Sequence, residues 1–88
     1  LEFMVTRAFN PPTDFPALVD LLNAIAKADE GSSTTETEQR EQAALYEKYG
    51  QFQQWVVPHN AVPLAAYANL FKQPDTPYAE FALVVHPE

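Results

Sequence analysis

Cysteine is missing from this sequence, which excludes a disulfide framework, a thiolate nucleophile and a Cys-based metal site. Basic charge is scarce: 5 Lys and Arg stand against 12 Asp and Glu, a formal charge of −7. Phosphate recognition needs clustered Lys and Arg, so a nucleic-acid module is excluded. No apolar run approaches the roughly 18 to 20 residues that span a bilayer, and the N-terminus lacks a secretory-signal pattern. A cytoplasmic protein with no membrane partner is the expectation. His59 and His86 are too few and too far apart in sequence to suggest a metal site.

What is present is apolar: 47% hydrophobic and 12% aromatic residues in a chain of 88. That suffices for one small globular domain and argues against disorder. Leu1, Glu2 and Phe3 precede Met4 and read as a cloning scar, which leaves residues 4–88 as a single domain.

Periodicity divides that domain into six elements. Val5 to Phe9 alternates as a short strand and is closed by Asn10-Pro11-Pro12. A helix follows, with Thr13 or Asp14 as N-cap and Pro16 in its first turn. Its apolar stripe is Phe15, Leu18, Val19, Leu22, Ile25 and Ala26, and it ends near Lys27. Thr35 and Glu38 form a capping box for a second helix, which is acidic in its first turn and closes at Gly50 as a left-handed C-cap. Its apolar stripe (Ala44 or Leu45, Tyr46, Tyr49) is thinner, so this helix should lie more exposed.

Beyond Gly50 the period falls to 2. Gln54 to Val57 is a strand, Pro58 to Ala61 a tight connection, Val62 to Phe71 a second strand, and Tyr78 to Val85 a third. Short turns between them predict an antiparallel meander. The fold class is therefore α+β: a sheet in order 1-2-3-4, with two helices between strands 1 and 2. Trp55, Leu64 and the Leu18/Leu22/Ile25 stripe are its expected core. Tyr67 is expected on the face opposite Leu64 and Ala66.

This order, with Trp55-Val56-Val57, Leu64-Ala65-Ala66-Tyr67-Ala68 and Leu83-Val84-Val85-His86-Pro87-Glu88 at its joints, resembles the N-terminal half of a GNAT-type N-acetyltransferase, the acyl-CoA N-acyltransferase fold. Arg7 ahead of Asp14-Phe15-Pro16-Ala17-Leu18 is similar to the usual opening of that family. The resemblance runs from Met4 to Glu88. It implies acetyl-CoA as cofactor and a small-molecule or peptide amine as substrate. It implies that the main chain of Leu83, Val84 and Val85 contacts the pantetheine arm, and that Glu80, in Ala79-Glu80-Phe81, is a possible general base whose pKa burial would raise. Tyr67 is the candidate wall of the substrate pocket. The sequence departs from the family at Ala66, where many members carry Gly. It also stops at Glu88, where a Gln/Arg-x-x-Gly-x-Gly/Ala loop would hold the cofactor pyrophosphate. The resemblance thus implies a truncated domain, inactive alone and with weak or no affinity for acetyl-CoA.

A second expectation stands beside the enzyme. Phe81 to Val85 is an apolar strand guarded only by Glu80 and Pro87, which suits a non-catalytic α+β interaction module. On that reading the chain forms a homodimer by pairing its fourth strands.

Overall fold

The computed structural model describes residues 6–58 and 64–87. Strand β1 (Arg7–Ala8) is followed by helices α1 (Pro11–Ala28) and α2 (Glu36–Tyr49), then by strands β2 (Gln51–Pro58), β3 (Leu64–Lys72) and β4 (Ala79–Val85). All four strands form one antiparallel sheet in the order β1-β2-β3-β4. The α+β class, the meander and both helices between β1 and β2 agree with the sequence reading. The expected connection after Pro58, including His59, and the start of its following strand at Val62 lie outside the described residues.

Strand register assigns every side chain to a face, because paired residues share a face and neighbours alternate. Val56, Tyr67 and Val84 form one row, and Phe52, Phe71 and Glu80 another, on the face that the helices cover. Phe15, Leu18 and Leu21 of α1 and Ala43 of α2 are buried against Val56, Leu64 and Tyr67 in a single core. Aromatic rings extend it: Phe9 meets the edges of Phe15 at 4.9 Å and of Tyr67 at 5.8 Å, favourable geometries for ring quadrupoles.

Trp55 is a correction. It was expected in the core, but it pairs with Ala8 and Ala68 on the opposite face and is only half-buried. Leu64 reached the core by a route that alternation does not foresee. A register shift at Val57/Pro58 breaks the period, so Leu64 joins the same buried cluster as Tyr67 instead of facing away from it. Leu22 and Ile25 pack against that cluster but are only partly buried, whereas Leu21, outside the expected stripe, is 2% exposed.

Helix ends supply three further corrections. The N-cap of α1 is Asn10, not Thr13 or Asp14, with Pro11 and Pro12 in its first turn, where a missing N–H costs little. Pro16 accordingly falls in the second turn, and Pro12 and Pro16 are both solvent-exposed. Asp14 is freed from capping to do something else, described below. At the end of α2, Gly50 is extended (φ 177°), not left-handed. Glycine is required there for space, since a Cβ would lie 2.3 Å from the Lys72 carbonyl oxygen, far inside van der Waals contact.

The start of α2 meets its expectation in part: the Thr35 hydroxyl accepts from the Glu38 N–H at 3.2 Å, but the Glu38 carboxylate takes the Thr35 hydroxyl at 3.3 Å, not the Thr35 N–H of a reciprocal capping box. The connection between the helices is tied down by Asn23. Its side chain accepts from the Thr34 N–H at 2.7 Å and donates to the Thr34 carbonyl at 3.1 Å. A single side chain thereby satisfies both main-chain groups of a loop residue.

Candidate functional site

Between α2 and the covered face of the sheet lies a cleft of about 380 Å³. Leu22, Tyr46, Phe52 and Val84 give it an apolar floor, while Gln39 and Gln42 of α2 stand on one wall. Tyr46 stacks on Phe52 at 5.0 Å and lies 4.7 Å from Phe71, which holds α2 above the sheet. Tyr67 and Glu80, two residues singled out on separate grounds in the sequence, both line this cleft.

Tyr67 is 8% exposed, and burial pushes its phenol above the ordinary tyrosine range because it disfavours the charged form. Its hydroxyl donates to Gln54 Oε1 at 2.6 Å and accepts from Asn69 Nδ2 at 3.2 Å. Gln54 and Asn69 also line the cleft. The β2–β3 register, which pairs Gln54 with Asn69 and Val56 with Tyr67, sets both polar side chains on the inward face beside Tyr67. Glu80 is exposed and sits at the rim, so the burial proposed for a general base is not supplied by this fold. It is nevertheless the one carboxylate on the lining among the described residues.

β4 closes the cleft and forms one edge of the sheet. The His86 N–H donates to the Ala65 carbonyl at 2.8 Å. In an antiparallel ladder, bonded and non-bonded pairs alternate. From that starting pair, the main-chain groups of Val84 turn inward to Tyr67, while those of Phe81, Leu83 and Val85 turn to the free edge. Of the three residues that the resemblance assigns to a pantetheine contact, Leu83 and Val85 therefore turn N–H and C=O groups to an edge unpaired among the described residues, and Val84 offers a side chain to the core.

This edge fits an extended, amide-bearing arm, which could add as a further strand. A pyrophosphate is less well served. Gly31 and Gly50, the sequence's two glycines, flank the helices, and among the described residues no helix begins beyond β4. The glycine loop and helix N-terminus that hold such an anion are thus not found next to β4.

Arg7 and Asp14 form a separate polar centre that is structural. Two guanidinium nitrogens of Arg7 reach the Asp14 carboxylate at 2.6 and 2.8 Å, and the Asn10 N–H donates to it at 2.6 Å. The Arg7 bond is the main cause holding the Asp14 carboxyl below its ordinary range. The fork ties β1 to the first turn of α1 with bidentate geometry, which explains the spacing of those two residues.

Among the described residues no cluster of His, Cys, Asp and Glu could hold a metal ion. Within the same residues, no helix is long and apolar enough to cross a membrane. Comparison with protein-family models, curated proteins and solved structures found no match.

Proposed function

We propose that this chain carries the amine-binding side of a GNAT-type N-acetyltransferase, and that it does not transfer acetyl groups by itself. The observation that carries the reading is the convergence of Tyr67 and Glu80 on one cleft bounded by the free edge of β4. Acetyl-CoA, when bound, would supply the acyl group as an activated thioester. Leu83 and Val85 would hold its amide-bearing arm through their outward main-chain groups, and the pyrophosphate would need groups from outside the described residues.

The acceptor side is built from this chain alone. Glu80 draws an ammonium to the rim and accepts its hydrogen bonds. The apolar floor takes the attached carbon skeleton. The amides of Gln54 and Asn69, fixed through Tyr67, give neutral hydrogen-bonding partners that orient the ligand without competing for charge. A net charge of −7 favours encounter with a cation.

The test is an NMR titration with phenethylamine and, as a neutral control, its N-acetyl derivative. The amine should shift the resonances of Tyr67, Glu80 and Ala82 and bind more tightly than the control. Glu80→Gln should weaken the amine by about threefold, as expected for an exposed ion pair, and leave the control unchanged. Equal binding of both compounds would defeat the reading. Calorimetry should show no tight binding of acetyl-CoA; a micromolar dissociation constant would show that the pyrophosphate has a holder after all.

A second reading, an interaction module that pairs β4 with another strand, is favoured by the edge position of β4.

A further inference from the structure

The face of the sheet away from the helices is apolar and has nothing over it among the described residues. Three rows build it: Gln53, Trp55 and Val57 on β2; Ala66, Ala68 and Leu70 on β3; Phe81, Leu83 and Val85 on β4. None of these nine side chains is ionisable, in a chain of net charge −7. Lys72 stands at one end. Phe81, Leu83 and Val85 are 64%, 59% and 59% exposed.

The rows differ in height. Large side chains on β2 and β4 flank the small Ala66 and Ala68, leaving an apolar hollow of about 100 Å³ between Trp55 and Leu83. Trp55, Val57, Ala66, Ala68 and Leu83 line it and leave a water few hydrogen-bonding partners, so it suits a hydrophobic side chain better than ordered solvent. The face therefore carries both a knob, Phe81, and a hole, the hollow over the alanines. A knob and a hole on one surface are the condition for a two-fold contact, in which each copy gives what the other receives.

We propose that two copies of this chain pack open face to open face, with Phe81 of each seated over Ala66 and Ala68 of the other. An uncharged face is where two chains of like net charge can meet at least electrostatic cost. This contact competes with edge pairing of β4 and is favoured over it. Edge pairing only exchanges main-chain bonds to water for bonds to protein, a small net gain. It would also leave both apolar faces in water. The proposal is independent of the amine site, which lies on the other face.

Size sets the strength. Strands of 7 to 9 residues, rising about 3.3 Å per residue and about 4.8 Å apart, give a face of roughly 25 by 15 Å. Two such faces give roughly 750 Å² in total, below the about 1,200 Å² of standard specific interfaces, so the contact belongs to the weak, transient class and is sought at high protein concentration.

Sedimentation of the chain from 5 to 500 µM tests this, with Trp55, the single tryptophan, as reporter. The expected result is a monomer–dimer equilibrium whose dimer shifts Trp55 emission to the blue. The amides of Phe81, Leu83 and Val85 should stay in fast hydrogen exchange. Ala68→Arg, which fills the hollow with a charge, should weaken association at least tenfold; Leu83→Lys is the second variant should the first not fold. A monomer at every concentration would overturn the proposal. So would a dimer that protects those three amides with Trp55 unmoved, which is edge pairing. Binding of a persistent monomer to phosphatidylcholine vesicles would assign the face to lipid and equally overturn it.

Discussion

Val56, Tyr67 and Val84 stand in one row across the sheet, and Trp55, Ala68 and Leu83 in the next. Over the first row lie Phe15, Leu18 and Leu21, and Val56 is 1% exposed. Over the second row nothing lies among the described residues, and Leu83 is 59% exposed. Adjacent positions of the same strands, similar in hydrophobicity, thus have opposite environments. Apolar character alone does not decide burial; a second layer does, and the helices provide it on one side only. The polar groups follow the layer. On the covered side Gln54 and Asn69 find partners in Tyr67, because a hydrogen-bonding group withdrawn from water must be satisfied.

The contrast can be broken most severely from the covered side. Leu18→Ala, at a site 1% exposed in the core, should lower unfolding free energy by about 3 kcal/mol in urea titrations at 2 µM protein, the usual cost of lost contacts plus a cavity. A loss under about 1 kcal/mol would mean that α1 is not seated as described.

An intermediate effect is expected at the tie between β1 and α1. Asp14 is 2% exposed while Arg7 is 43% exposed, so Asp14→Asn removes a charge-assisted fork and should cost about 2 kcal/mol at neutral pH. The sign of its pH dependence follows from the lowered carboxyl pKa. Stabilisation is complete above the ordinary aspartate value of about 4 and is lost as pH falls through the lowered folded value. Urea titrations from pH 7 to pH 2 should show the variant and the parent converging at the acid end. Parallel curves would show that the ion pair contributes nothing.

The smallest effect belongs to the open face. Leu83→Lys should change monomer stability by no more than about 0.5 kcal/mol at 2 µM, as for other exposed positions. A larger loss would show that the face is covered within a single chain.

The misplacement of Trp55 has the same origin as the contrast. In Gln54-Trp55-Val56-Val57 the most hydrophobic-looking residue and its neighbours give no polar–apolar alternation from which to choose a face. The choice fell to the helices, which cover the side of Val56. Of the candidate site, Tyr67 and Glu80 were legible as residue types on strands; their sharing of a cleft depends on β3–β4 register and on the placement of α2. Gly50 is legible in the sequence as an end signal, but its reason is not, since the Lys72 carbonyl that excludes a Cβ is contributed from 22 positions further along.

Local sequence by itself determined the element order, the meander and the Thr35–Glu38 cap, because those depend on hydrophobic period, short turns and groups three residues apart. Tertiary structure decided the rest. The meeting of Arg7 with Asp14, the shift that turns Leu64 inward, the covered face, and the outward main chain of Leu83 and Val85 are all set by contacts between segments. Chain neighbours carry no information about those contacts, and only the packed arrangement selects among the pairings that the pattern permits.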